Sequence, residues 1–179
     1  MKNLLLSVAV STLTNFVFAQ PKLTPTDAGS KVHFVIKNFG ISVGGDFTGL
    51  KGFIEFDAAN VTAAVINVTA DAATVNTDNN KRDEHLKKDD YFDVAKYPTI
   101  HIVSSKIEKG SSINAYLFSG NLTIKGVTKP LKFPFTATKS GTGYLFTGNF
   151  DISRRDFNVG GGTFPLSENV KVSLSILAK

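Results

Sequence analysis

Cysteine and tryptophan are absent from all 179 residues, and methionine occurs once. Without a thiol there is no disulfide, no thiolate metal site and no Cys nucleophile. A lipid anchor joined to a Cys after a cleaved leader is excluded for the same reason. In an oxidising compartment the fold must therefore be held by its core alone, and a domain over 20–179 is large enough to supply one. Histidine is scarce too, with three residues. No two of them stand four apart, as a helical zinc site requires, and no Gly-x-Ser-x-Gly elbow is present. These gaps argue against an enzyme and against a resident metal or cofactor.

Charge of one sign is also in short supply. The chain carries 20 Lys+Arg against 15 Asp+Glu, a net +5. The doublets Lys87-Lys88 and Arg154-Arg155 are isolated, and no basic stripe interleaved with aromatics appears, so nucleic acid is a poor partner. The run Leu4 to Phe18 is broken by Ser7, Ser11, Thr12, Thr14 and Asn15, and is short for a bilayer span. With Lys2 before it and Val17-Phe18-Ala19 after it, residues 1–19 read as a signal peptide. The mature chain, 20–179, is then a single domain with no stable membrane span, delivered to the periplasm or beyond it.

Phenylalanine is abundant, at 15 residues. It is a rigid apolar filler without the polar handle of Tyr or Trp. Such a core is either dry throughout or surrounds an apolar cavity, and composition does not choose. From Lys31 onward apolar residues recur at every second position, as in Phe34-x-Ile36, Ile100-x-Ile102, Leu122-x-Ile124, Leu131-x-Phe133-x-Phe135 and Val170-x-Val172-x-Leu174-x-Ile176. One-sided alternation marks antiparallel strands with one buried face. Roughly eight such runs, separated by Gly, Asn, Asp, Ser and Pro clusters, predict a sandwich or barrel.

Three segments share a device: Phe47-Thr48-Gly49, Phe118-Ser119-Gly120 and Phe146-Thr147-Gly148. A glycine within a strand permits a bulge or sharp coil, which favours a barrel. The polar stretch Asp78 to Lys88 predicts one short surface helix capped by Asp, with Asp83–Lys87 and Glu84–Lys88 pairs, tethered by Leu86, Tyr91 and Phe92. Gly160-Gly161-Gly162 is followed by a strand rather than a helix, so it reads as a turn and not a phosphate cradle. His33 and His101 lie opposite the apolar stripe and read as solvated or hydrogen-bonded strand residues.

The order of several weak motifs is specific. Phe34-Val35-Ile36-Lys37-Asn38-Phe39-Gly40 comes first, then Gly45-Asp46-Phe47-Thr48-Gly49-Leu50-Lys51-Gly52. Arg82-Asp83-Glu84-His85-Leu86-Lys87 follows, with Tyr91-Phe92-Asp93 and Tyr97-Pro98-Thr99-Ile100. Gly120-Asn121-Leu122-Thr123-Ile124-Lys125-Gly126-Val127-Thr128-Lys129-Pro130 and Arg154-Arg155-Asp156-Phe157 complete the series. Over nearly the whole mature chain this succession resembles the YceI family of periplasmic proteins. The resemblance implies an all-β, eight-stranded antiparallel, lipocalin-like barrel with one short helix. It also implies an interior that holds a long isoprenoid, such as a polyprenyl diphosphate or quinone-like lipid. Many members carry His where this chain has Asn38, which can hydrogen-bond but cannot titrate near neutral pH.

An eight-stranded barrel is just wide enough to be filled by side chains or to hold one ligand. The expected wall is drawn from each stripe. It takes Phe34 and Ile36, Phe53 and Phe56, Ile66 and Val68, Ile100 and Ile102. It continues through Leu122 and Ile124, Phe133 and Phe135, Phe146 and Phe150, Val172 and Leu174. For an anionic headgroup Arg154 and Arg155 are the first candidates, because guanidinium forks match diphosphate oxygens, with Arg82 and His85 second. The function expected is binding and carriage or storage of an apolar lipid. A structural or interaction module of the envelope, with a filled barrel, is the alternative.

Overall fold

The period-two stripes become ten strands in the computed structural model, which describes residues 20–162 and 165–179. The signal peptide read over 1–19 lies outside the described residues. The first five strands are β1 (Lys22–Leu23), β2 (Pro25–Asn38), β3 (Ile41–Phe47), β4 (Lys51–Glu55) and β5 (Val65–Asp71). The rest are β6 (Thr99–Lys109), β7 (Ala115–Ile124), β8 (Val127–Ser140), β9 (Gly143–Ser153) and β10 (Leu166–Ala178). All lie in one sheet of order β1-β4-β5-β6-β7-β8-β9-β10-β2-β3.

Ten strands and the expected eight are the same chain runs counted differently. Only Thr24 separates β1 from β2, and only Thr48-Gly49-Leu50 separates β3 from β4. Because β1 pairs with β4 while its continuation β2 pairs with β10 and β3, the curled sheet returns on itself. Thr24 joins the last residue at this seam, with reciprocal backbone hydrogen bonds of 3.0 and 3.1 Å to Lys179. Register brings the stripes side by side on the inner face: Val172 stands between Phe34 and Phe150, and Ile102 between Val68 and Leu122. A slip of one residue would turn each stripe to solvent.

The three Phe-x-Gly segments do three different things. At Gly49 the chain adopts φ +72°, and the Asp27 carboxylate accepts the N–H groups of Gly49 and Leu50 at 3.1 and 3.0 Å. That is the bend between β3 and β4. Gly120 faces the register shift in β6 between Ser104 and Lys106. Gly148 sits in unbroken β9, where a Cβ would come within 2.7 Å of the Phe133 ring.

Helix α1 spans Asn80–Leu86, and its cap is Asn79 rather than Asp78: the Asn79 side chain accepts the Arg82 N–H at 3.0 Å. The two expected ion pairs give way to Lys87–Glu84 at 2.8 Å. Asp83 is instead buried, accepting the backbone N–H and the hydroxyl of Thr77. A buried carboxylate gains more from two donors near a helix N-terminus than from an exposed Lys.

Candidate functional site

The inner face divides into a solid end and an open end. At the solid end Phe56 and Phe118 are wholly buried and Ile107 almost so. The Phe56 ring meets Tyr116, Tyr144 and Phe146 edge-on at 5.2, 5.1 and 5.3 Å. Edge-to-face packing of this kind adds to the stability of burial itself. Burial also pushes the Tyr116 phenol above its ordinary pKa.

Toward the other end the stripe residues separate and enclose a cavity of about 370 Å³. That volume falls within the range of about 300–1,000 Å³ usual for ligand sites. Every expected wall residue lines it except Phe53 and Phe56. Phe53 has the wrong parity and stands on the outer surface, with the Lys22 ammonium 4.1 Å from its ring centroid. Phe56 has inward parity but lies below the cavity, in the solid end. Ile54 takes the place expected of them.

Sequence reasoning also omits Val32, Phe47, Phe118 and the mouth residues Leu86, Phe92 and Phe157. The signal for Ile54 was present, since it alternates with Glu55. Phe47 and Phe118 stand in the Phe-x-Gly segments, which carried no other mark. The loop that carries α1 covers one side of the mouth: Phe92 packs edge-on against Phe47 at 5.4 Å.

The four headgroup candidates are not equivalent. Arg154, 5% exposed, donates Nε to the Ser167 carbonyl and Nη2 to that of Leu166, at 2.8 and 3.2 Å. Its Nη1 meets the carbonyls of Val159, Gly160 and Gly161 at 2.7, 2.8 and 2.7 Å. Burial first, and the neighbouring Arg155 second, lower its pKa from the usual arginine value. Arg154 therefore anchors the glycine turn from within, and its donors are already engaged. Arg155 does not line the cavity; it is exposed and 3.7 Å from Glu168.

Arg82 borders both the cavity and a polar groove outside β3. It gives Nε to the Thr77 hydroxyl and Nη2 to the Thr77 carbonyl, each at 2.7 Å. Nη1 has no hydrogen-bond partner among the described residues. His85 is at the rim, 2.9 Å from an Asp90 carboxylate oxygen and edge-on to Tyr91. Asn38 is also at the mouth. His33 pairs with Asp46 at 2.7 Å and His101 with Asn67 at 2.9 Å, so both are hydrogen-bonded strand residues.

Among the described residues the charged side chains lining the cavity are Arg82 and Arg154, with His85 beside them and no Asp or Glu. The chemistry of the space is thus hydrocarbon within and cationic at the edge.

A family model described as a YceI-like domain matches residues 23–178. A UPF0312 protein of Yersinia enterocolitica is 32% identical over 167 residues, covering 89% of this chain and 86% of its own. Another of Yersinia pestis is 32% identical over 178 residues, covering 96% and 92%. Among solved structures, Burkholderia cenocepacia BcnA matches with TM-score 0.81 and 29% identity, over 87% of this chain and 99% of that one. A polyisoprenoid binding domain from Saccharophagus degradans matches with TM-score 0.71 and 18% identity, over 88% and 97%. At that identity the likeness is one of fold.

Proposed function

Since this chain belongs to the YceI family, we propose that it binds an apolar, isoprenoid-type lipid inside its barrel and carries or stores it without chemical change. The observation that carries this reading is the 370 Å³ cavity walled by Phe, Ile, Leu and Val and open at one end. Each buried ligand methylene contributes about 0.8 kcal/mol, so a hydrocarbon tail needs few polar contacts to be held. Arg82 and His85 are the remaining candidates for an anionic or quinone-like headgroup: both lie at the edge, and Arg82 keeps one guanidinium nitrogen without a partner among the described residues. The description of the Saccharophagus degradans structure as a polyisoprenoid binding domain supports the ligand class. The leader expected over 1–19 supports a periplasmic site of action, with secretion as the alternative.

Native mass spectrometry of gently purified protein tests the proposal. A co-purified hydrophobic molecule, extractable into organic solvent, is the expected result. Val172→Arg places a charge on the half-buried wall and should abolish retention while the protein remains folded. Apoprotein alone, with no uptake of added isoprenoids, would end the proposal.

A further inference from the structure

Two strands carry inward series that differ at one position, Leu122 against Phe150. From the solid end toward the mouth, β7 presents Tyr116, Phe118, Gly120, Leu122 and Ile124. Strand β9 presents Tyr144, Phe146, Gly148, Phe150 and Ile152. Between them, β8 contributes Phe133 and Phe135. At the glycine level the rings of neighbours occupy the space a side chain would take. A Cβ on Gly120 would meet the Val103 carbonyl oxygen first and lie 2.6 Å from the Phe118 ring, and one on Gly148 would lie 2.7 Å from the Phe133 ring. Phe118 and Phe133 stack at 4.9 Å, and Phe133 meets Phe150 at 4.7 Å. The glycines therefore let rings lie across the interior as a floor. Below it Phe56 packs against Tyr116 and Tyr144, and none of the three lines the cavity, whose deepest lining on these strands is Phe135 and Phe146.

We infer that this aromatic floor is a length stop, and that the barrel encloses about three isoprene units of a tail, however long the tail is. The inference rests on the reading of the cavity as a lipid site. Its size follows from packing: a buried apolar cavity of about 150 Å³ accommodates benzene, with six carbons. In the same proportion 370 Å³ holds about fifteen carbons. Further units of a longer tail remain at the mouth, outside the hydrocarbon wall, and add little.

The test is a series of all-trans prenols with two, three, four, six and eight isoprene units, competed against a common fluorescent apolar probe. Affinity should rise at least about tenfold per unit up to three, since each unit buries several carbons. From four units onward it should change by less than about threefold. Affinity that keeps climbing tenfold per unit through six and eight would overturn the stop while leaving lipid binding intact. No binding at any length would instead overturn the lipid reading on which the stop depends. Phe146→Ala should move the plateau outward by one unit or more, and a folded variant with the plateau unmoved counts against the stop. Where Phe146→Ala does not fold, Phe118→Leu with Phe146→Leu carries the same expectation at smaller amplitude, and the unmodified protein's series decides in either case.

Discussion

Adjacent residues of one type can have opposite fates. Arg154 and Arg155 are indistinguishable in the sequence as headgroup candidates, yet the 3-10 turn Arg154–Phe157 sends one inward and the other to solvent. What separates them is a set of backbone carbonyls gathered from 159–161 and 166–167, and sequence patterning has no sign for carbonyl convergence. Arg154→Met should therefore lower stability by about 3 kcal/mol or more, because several buried acceptors lose their donor together. Arg155→Ala should change it by less than about 0.5 kcal/mol, as exposed ion pairs contribute little. Chemical denaturation of both variants checks this. Equal losses would mean that the carbonyl cage is not the source of the stability.

Among the elements, the strands were readable and their depth was not. Period two assigns a side chain to a face, which is why most of the wall was legible. Phe56 has the expected face and still misses the cavity, because its height along the barrel depends on its partners Tyr116, Tyr144 and Phe146. Phe53 failed on parity. In a run Phe53-Ile54-x-Phe56 two stripes compete, and the register Ile54↔Ile66 resolves them.

The helix was legible as a helix, but the identity of its cap rested on Asp78, whose φ of +59° takes it out of the capping position. Asn79→Ala should cost about 1 kcal/mol. Asp83→Ala should cost about 1–3 kcal/mol, since the buried Thr77 N–H then has no acceptor. Because Leu86 and Phe92 at the mouth depend on this segment, Asp83→Ala should also speed ligand exchange in a stopped-flow displacement experiment. An unchanged exchange rate in a destabilised variant would show that the segment does not limit passage.

On the scale of the molecule, the curled sheet concentrates its packing at one end and leaves the other hollow. Composition left open whether so much Phe means a dry core or a cavity. The structure contains both, stacked along one axis. A tail that fills the hollow should stabilise the whole fold by mass action. At a free ligand concentration a hundred times Kd the gain is about 2.7 kcal/mol. For a domain of this size that corresponds to a rise in Tm of about 5–10 °C, measurable by calorimetry. An isoprenoid that leaves Tm unchanged at that excess would show that it does not bind the folded barrel in preference to the unfolded chain.

The seam at Thr24 and Lys179 has a practical corollary. Both ends of the barrel chain meet at the pole farthest from the mouth, beside the turns that follow β6 and β8. A tether fixed at Lys179 would hold the molecule by its base, with the opening facing away from the support. A short linker between the two ends would preserve the ladder while new termini were cut elsewhere, for instance in the Lys125-Gly126 hairpin.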